Sequence, residues 1–442
     1  MRNRIIKASI SALIMFLGQA VMCAQGSTSG TWHGLLEVPG GSLTLVLHLS
    51  QEECVMDSPD QMVYGIPAEI KEISQVRVNI YVPSLDAGFE GNLTFGLLVG
   101  KFRQAGMEFP LTLKRGEPVR KRPQTPQPPF PYMTEECTFT NTNDGAVLSG
   151  TLTYPENHGK ETPVVLFVSG SGLQDRNEEI SAHKPFMVIA DRLARNGIAS
   201  LRYDDRSVGK STGDVSNATT ETFKADAEAG MDYLRSLDRF GMVGIAGHSE
   251  GGTIAFLLAG EGKTDFIVSL AGAAVSGSEI LLEQNELMLE KSGIPSETAN
   301  AYRKALEKLY GNIQISAEEL DSISYGLPEA LRANLQSVRE ALSDNAWLRY
   351  FITLDPSEQI KNIKCPVMAV NGEKDVQVIA GTNMSAIGQF LPPSDKNMLK
   401  TYPGLNHMFQ PCSTGMPDEY GRIESTVSEE VLNDIIGWIK SL

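Results

Sequence analysis

The sequence contains few cysteines, and their spacing suggests no metal site. Its 442 residues include five, at positions 23, 54, 137, 365 and 412. Because there is no CxxC pair and no cysteine–histidine ligand spacing, we expect no structural zinc, no other metal and no cofactor. The last four cysteines are an even number that an oxidising compartment would allow to pair, but their spacing predicts no particular disulfide.

Positive charge is scarce as well. The chain has 38 Lys and Arg residues against 54 Asp and Glu residues, which gives a formal net charge of -16. So acidic a protein is not expected to bind nucleic acid or an anionic membrane surface. The glycine-rich segment 169–172, SGSG, lacks the Gly-Lys-Ser/Thr ending of a phosphate-binding loop, so no nucleotide site is expected there.

The start of the chain has no apolar run long enough to span a bilayer. Basic residues precede a short apolar stretch at 10–17, and Ala24 closes a small-residue exit. This pattern predicts a secretory signal peptide over residues 1–24. A lipid anchor on Cys23 is the alternative. Either way we expect an exported protein, periplasmic or secreted, with no integral membrane span.

Two regions of different composition follow, joined by a proline-rich segment. Residues 25–114 hold short strand-like runs between Gly, Pro, Asp and Asn turns, which predicts a small antiparallel barrel or sandwich; the runs are 42–49, 75–82, 93–99 and 109–113. Residues 115–132 contain six prolines, a density typical of an extended, semi-rigid linker. We therefore predict an N-terminal β domain, a linker and a second domain over 133–442.

The second domain alternates apolar runs with helical patterns. After a predicted hairpin of 137–140 with 147–154, buried strands are expected at 164–168, 198–203, 242–246, 266–270 and 367–370. Helical segments such as 184–195 and 222–237 lie between them. This alternation predicts an α/β fold with a mostly parallel sheet covered on both faces. Residues 278–355 show only helical patterns and are interpreted as a helical cap inserted over the strand ends.

The segment 244–256, GIAGHSEGGTIAF, places Ser249 between an apolar strand and an apolar helix. Small residues on both sides of the serine are what a nucleophile elbow requires, because its backbone is strained and crowded. A plain glycine turn is the alternative. Since a serine hydroxyl is a weak nucleophile without a neighbouring base, the interpretation depends on finding a histidine and an acid later in the chain.

Only one histidine follows Ser249, so His407 is the predicted base. A surface histidine in a Pro-Gly loop is the other interpretation. The acid should come between them, after a strand, where the segment 365–375 offers Glu373 and Asp375. We favour Asp375 because it lies deeper in the loop, with Glu373 as the alternative; His248, inside the elbow, is expected to be structural.

Two further features would complete such a site. The oxyanion donors are predicted to be the backbone N–H groups of Glu250, directly after the serine, and of Ser171, in the loop after a strand. Three aromatic residues near the end of the helical insertion are candidates for the substrate pocket, although each is equally compatible with an ordinary cap core; they are Trp347, Tyr350 and Phe351.

Five motifs occur in one order: VLFVSGSGLQDRNE, LRYDDRSVGKSTG, GHSEGG, CPVMAVNGEKDVQV and NHMF. Together they resemble the α/β-hydrolase superfamily, and more closely the secreted bacterial serine esterases of the EstD type. The resemblance covers about residues 133–442 and implies Ser249, Asp375 and His407 as nucleophile, acid and base. The sequence departs from the pattern at Ser169, where histidine is common, and at Ser207, where glycine is usual.

The predicted function is a serine carboxylesterase that hydrolyses short-chain acyl or aryl esters of small molecules through an acyl-enzyme. A serine peptidase of the exopeptidase kind, or an acyltransferase, would use the same fold and the same residues. A third alternative is a binding protein whose β domain holds a glycan or another surface partner. The acyl group, the alcohol and the oligomeric state do not follow from the sequence.

Overall fold

A computed structural model describes residues 27–38, 41–61, 63–118 and 121–442. The predicted signal peptide and Cys23 lie outside this part of the chain. The structure separates into two compact units, Met1–Lys121 and Arg122–Leu442. The point of division falls within the proline-rich segment 115–132, whose role as a linker between two domains stays a prediction.

The first unit is a closed barrel in which each strand pairs antiparallel with the next and the first pairs with the last. Alternate residues of its strands point inward, as in Arg77–Val82, where every second side chain is buried. The buried interior includes Trp32, Met56 and Phe89. The strands are β1 Gly30–Val38, β2 Gly41–Leu49, β3 Cys54–Ser58, β4 Val63–Ile73, β5 Arg77–Val82, β6 Ala87–Thr94, β7 Leu97–Gln104 and β8 Met107–Arg115.

The predicted strand 93–99 is wrong, because the chain reverses within it. Strand β6 ends at Thr94 and β7 begins at Leu97, and the two pair with each other. Phe95 and Gly96 both adopt positive φ, 49° and 80°, which is the conformation of a tight hairpin turn. The turn was not predicted because phenylalanine is a strand-forming residue that rarely takes this conformation.

The second unit is built on an eight-stranded sheet with the spatial order β16-β15-β14-β13-β11-β12-β10-β9. Strands β9 and β10, the first two along the chain, form the predicted hairpin and are antiparallel to each other. The six strands from β11 to β16 are parallel to one another. They are β9 Met133–Thr140, β10 Val147–Tyr154, β11 Val164–Val168, β12 Ala199–Tyr203, β13 Val243–His248, β14 Ile267–Leu270, β15 Val367–Gly372 and β16 Met398–Tyr402.

Helices cover both faces of this sheet, and the sequence of β11 shows why. Its side chains alternate between two buried clusters, with Leu166 in one and Phe167 in the other, so every residue of the strand is apolar. Helices α1 Pro185–Arg195 and α11 Glu429–Ile439 pack on one face; α2 Thr220–Ser236, α3 Glu250–Gly260, α9 Ser357–Asn362 and α10 Ala380–Phe390 pack on the other. The α/β fold expected from the sequence is confirmed.

Between β14 and β15 the chain forms a helical insertion with its own apolar core, in which Tyr302, Leu306 and Leu335 are fully buried. Its helices are α4 Gly277–Lys291, α5 Ser296–Gly311, α6 Ala317–Ile323, α7 Glu329–Asp344 and α8 Ala346–Thr353. No strand occurs in this part of the chain, in agreement with the periodicity of 278–355.

The last part of the proline-rich segment is attached to the second unit rather than free. The Arg122 guanidinium donates to the carbonyls of Ser181 and Gly421 at 2.7 and 3.0 Å. The Gln124 side chain accepts from the backbone N–H of Thr426 at 2.6 Å, and the Tyr132 hydroxyl donates to a carboxylate of helix α1. These contacts attach the segment to the second unit from Arg122 onward.

The four cysteines within the described residues are all free thiols, and none is bonded to another. Cys54 lies inside the barrel, where burial raises its pKa to about 12, so it stays protonated and unreactive. None of the helices that the structure describes combines the length and the apolar character that crossing a membrane requires.

Candidate active site

Ser249 lies at a sharp turn between strand β13 and helix α3, with φ 53° and ψ -119°. The turn is crowded on both sides. A β-carbon on Gly247 would lie 1.9 Å from the carbonyl oxygen of Gly251, and one on Gly251 would lie 2.0 Å from that of Val168. Only glycine fits at either position, which explains the Gly-x-Ser-x-Gly spacing. The strained turn displays the serine at the carboxyl end of the parallel sheet, as a nucleophile elbow does.

His407 and Asp375 form a buried pair. The imidazole Nδ1 lies 2.7 Å from Asp375 Oδ2, and both side chains are almost completely inaccessible to solvent. The other carboxylate oxygen accepts from the backbone N–H groups of Gln377 and Val378 at 2.8 and 2.9 Å, which fixes its orientation. A carboxylate at Nδ1 holds the proton on that nitrogen and leaves Nε2 as the basic one.

Glu373, the alternative acid, points elsewhere. Its Oε2 accepts from the backbone N–H of Gly404 at 3.0 Å, and it makes no contact with His407.

The loop after strand β11 packs against the serine. A β-carbon on Gly170 would lie 3.2 Å from Ser249 Cβ, so the two backbones are in close contact. The N–H of Gly170 is used, because it donates to Glu178 Oε1 at 2.8 Å. The N–H groups of Ser171 and Glu250 have no acceptor among the described residues, and Glu250, as the first residue of helix α3, has no intrahelical one. Both predicted oxyanion donors are therefore available.

Glu178 and His248 form a second buried pair beside the first. His248 Nδ1 lies 2.9 Å from Glu178 Oε1, and His248 Nε2 lies 3.0 Å from the carbonyl oxygen of His407. The carbonyl oxygen only accepts hydrogen bonds, so Nε2 carries a proton, and Nδ1 carries a second proton when it donates to the Glu178 carboxylate. Burial disfavours the charged ring, but the Glu178 carboxylate outweighs this and raises the pKa of His248.

Asp205 lies beneath the same loop. Its carboxylate accepts from the Ser169 hydroxyl at 3.0 Å and from the Gln174 backbone N–H at 2.8 Å. Burial raises the pKa of Asp205 to about 8, against the effect of these two donors. The carboxyl group therefore ties both ends of the loop to the sheet.

A cavity of about 290 Å³ opens at the serine. Of the residues predicted for the site, six line it: Ser171, Ser249, Glu250, Trp347, Phe351 and His407. The Trp347 and Phe351 rings are stacked with centroids 4.9 Å apart, and the indole N–H donates to Glu250 Oε1 at 2.8 Å. The structure corrects the prediction that Tyr350 lines the substrate pocket. Its hydroxyl donates to Glu221 Oε2 at 3.4 Å, and the residue does not line the cavity. On helix α8 its side chain points away from that of its neighbour Phe351.

Sequence reasoning missed several residues of the site. Asp205 lies two residues after the end of strand β12, and Glu178 lies in the loop region after strand β11, ten residues beyond its end, so only Asp205 had a positional signal. Three residues of the cavity wall carry no such signal, because they lie on helix α4, far in sequence from the serine; they are Ile280, Leu281 and Gln284. Gln377 also lines the cavity, next to the loop that carries Asp375. Among the residues that the structure describes, no group of three or more His, Cys, Asp or Glu is arranged to hold a metal ion.

Residues 144–387, more than half of the chain, match the family model of X-Pro dipeptidyl-peptidase (S15 family). The chain belongs to this S15 family. Membership confirms the hydrolase class and the fold expected from the sequence.

Two curated proteins resemble this S15 chain. One is esterase EstD of Thermotoga maritima, 25% identical over 299 residues; the match covers 66% of this chain and 65% of that relative, slightly less than two thirds of its length. The other is a non-heme chloroperoxidase of Burkholderia pyrrocinia, 27% identical over 259 residues, covering 56% of this chain and 84% of the relative. A solved structure of the Pyrococcus furiosus esterase Pf2001 covers 74% of this chain and 99% of its own, with 15% identity and a TM-score of 0.43.

Proposed function

We propose that the chain is a serine carboxylesterase that hydrolyses short-chain esters. The observation that carries the proposal is the cavity that Ser249 and His407 both line, with the His407 ring held at 2.7 Å by Asp375. A hydroxyl, an imidazole and a buried carboxylate in this arrangement are what acyl transfer needs. The similarity to an esterase over 299 residues supports the same chemistry.

In the proposed mechanism, His407 Nε2 removes the proton of the Ser249 hydroxyl as the oxygen attacks the ester carbonyl. The backbone N–H groups of Glu250 and Ser171 donate to the oxyanion of the tetrahedral intermediate. Protonated His407, stabilised by Asp375, then gives its proton to the leaving alcohol. Water, deprotonated by the same ring, attacks the acyl-enzyme and releases the acid.

The cavity volume of about 290 Å³ favours small substrates, because it is at the lower end of the range for ligand pockets. The stacked rings of Trp347 and Phe351 provide an apolar wall for an acyl or alcohol group. We therefore expect acetyl and butyryl esters to be better substrates than octanoyl esters.

The test is a panel of p-nitrophenyl esters, assayed with the full chain and with Ser249→Ala. We expect kcat/KM to fall about 10⁴-fold or more in the variant. Ser337→Ala, which removes an exposed helical serine remote from the cavity, is the matched control and should keep full activity. Equal activity of Ser249→Ala and the control would exclude Ser249 as the nucleophile.

A dipeptidyl-peptidase is the second candidate, and the family match favours it. Such an enzyme would use the same residues on an amide bond. An Ala-Pro p-nitroanilide assayed beside p-nitrophenyl acetate separates the two functions. Cleavage of the anilide alone would replace the esterase proposal, whereas cleavage of the acetate alone would leave it as the function.

A further inference from the structure

A second cavity, of about 400 Å³, lies at the edge of the sheet that the β9–β10 hairpin forms, and we call it the hairpin cavity. Strands β9, β10 and β12, helix α1 and the end of the proline-rich segment line it. The loop after strand β11 contributes to both cavities. Its Gln174 and Glu178 line the cavity at Ser249. Its Arg176 and Asn177 line the hairpin cavity, and no lining residue is shared.

The charges of the hairpin cavity are neutralised with one exception. Ion pairs of 2.7 to 3.3 Å hold four of its five charged side chains: Arg176 with Glu136 and with Asp204, Asp191 with Arg195, and Lys184 with Glu179. The fifth is Arg202, which forms no ion pair with a residue in the described part of the chain. A positive charge is therefore left over in this cavity.

Arg202 is a buried cation with a single hydrogen-bond partner among the described residues. Only 6% of its surface is exposed, and its Nη1 donates to the side-chain oxygen of Asn177. Burial, and next the like charge of Arg176, lowers the pKa of Arg202 to about 10, so the group is still charged at neutral pH. Because a buried charge without a counter-ion is unfavourable, an anion that reached this guanidinium would be attracted strongly.

Nη2 of Arg202 is the atom that a ligand can reach. It donates to no described residue, yet unlike Nε it is not fully enclosed, and the residue lines the cavity. Two enclosed hydroxyl oxygens, of Thr153 and Ser200, also lack a partner among the described residues. Thr153 pairs with Ser200 and Thr151 with Arg202 in the register of β10 and β12, so these side chains share one face of the sheet. Unsatisfied polar groups clustered in this way are what an unfilled ion site produces.

The rest of the wall determines what kind of anion fits. Phe130 and Tyr132 form a stacked pair of rings with centroids 5.2 Å apart, and Met187 of helix α1 lines the same cavity. These groups offer an apolar surface to the body of a ligand. The carboxylates of Glu136 and Asp191 are also in the wall, so a second negative charge on the ligand would be repelled.

We propose that the hairpin cavity binds a small monocarboxylate with an aromatic or aliphatic body, its carboxylate on Arg202 and its body against Phe130 and Tyr132. A hydrogen bond between a guanidinium and a carboxylate is charge-assisted and therefore among the stronger ones in proteins. The cavity volume is within the range of small-molecule sites. The site involves neither Ser249 nor His407, so the proposal does not depend on the proposed hydrolysis.

Benzoate is the probe, and calorimetry with the full chain measures its Kd. Benzamide has the same shape without the charge, and sulfate has two charges and no apolar body, so both should bind more weakly than benzoate. We expect Arg202→Met to raise the Kd of benzoate about tenfold or more, and Arg202→Lys, which keeps the charge, to raise it less. Arg332→Met is the matched control, because Arg332 is exposed on helix α7, and it should leave the Kd unchanged.

Phe130→Ala tests the same site without altering the buried arginine, so it decides the matter even where Arg202→Met does not fold. It should raise the Kd of benzoate more than that of acetate, which has almost no body to pack on the ring. A Kd of benzoate that neither Arg202→Met nor Phe130→Ala changes would overturn the proposal, and binding confined to the cavity at Ser249 would give that result. Equal binding of benzamide, or sulfate bound more tightly than benzoate, would overturn the assignment to a monocarboxylate.

Discussion

Glu178 Oε1 lies 2.9 Å from His248 Nδ1 and 2.8 Å from the backbone nitrogen of Gly170. His248 in turn donates to the carbonyl oxygen of His407 at 3.0 Å. One buried carboxylate therefore connects the proposed oxyanion loop, the residue before Ser249 and the loop that carries the proposed base. Three segments far apart in sequence are aligned by a single charge.

We predict that Glu178→Gln lowers kcat about tenfold, which is ~1.4 kcal/mol of transition-state stabilisation, with a smaller change in KM. Glutamine keeps an acceptor but removes the charge that favours the His248 imidazolium. Glu178 Oε1 faces both Nδ1 and the Gly170 N–H, and with a neutral ring a single amide oxygen or NH2 group at this place can satisfy only one of the two, so one hydrogen bond is lost. Steady-state kinetics and the NMR titration of His248, whose pKa should fall, measure both effects.

Glu179→Gln is the matched control, since Glu179 is exposed and pairs with Lys184 on the surface. It should alter neither kcat nor the His248 titration. If Glu178→Gln shifted the pKa of His248 but left kcat unchanged, the pair would be structural and would not position the site.

Neutralising each of the two carboxylates after strand β15 should have very different effects on kcat. Asp375→Asn is expected to lower kcat about 10³- to 10⁴-fold, because an amide at Nδ1 no longer holds the His407 ring in the required tautomer. Glu373→Gln removes an equal charge from the same loop and should change kcat less than threefold. An activity loss in Glu373→Gln as large as in Asp375→Asn would contradict the assignment.

Asp205 should make stability depend on pH. With a pKa raised to about 8 in the folded protein and about 4 in the unfolded chain, it binds a proton only in the folded state between these values. The free energy of unfolding therefore falls as pH rises through this window. We expect Asp205→Asn, which cannot titrate, to flatten the decline between pH 5 and pH 8, as measured by urea unfolding. Asp232→Asn, at an exposed position, should retain the wild-type slope; parallel slopes for Asp205→Asn would rule out the raised pKa.

A methyl group at the elbow should be poorly tolerated. In Gly247→Ala the new β-carbon would lie 1.9 Å from a backbone oxygen, so the strand or helix must shift, at a cost of about 3 kcal/mol in the free energy of unfolding. Gly437→Ala is the control in helix α11, where the β-carbon meets no atom within 4 Å. There alanine should raise stability by up to ~1 kcal/mol. Equal stability of the two variants by urea unfolding would show that the turn is not crowded.

Much of the fold is determined by local sequence. Period-two and continuous apolar runs define strands such as Val164–Val168, because a strand between two layers of helices needs apolar residues on both faces. The elbow is only partly local: Gly247 is required by a contact within the turn, whereas Gly251 is required by the carbonyl oxygen of Val168 on strand β11. His407 followed from chain order alone, as the one histidine after Ser249.

Other features were decided by the tertiary structure. The choice of Asp375 as the partner of His407 over Glu373, the exclusion of Tyr350 from the cavity and the turn at Phe95 depend on side-chain directions that sequence spacing leaves open. The Glu178–His248 pair has the same origin. Whether a carboxylate has a counter-ion depends on which residues distant in sequence lie within about 4 Å of it, and only the folded chain determines those distances.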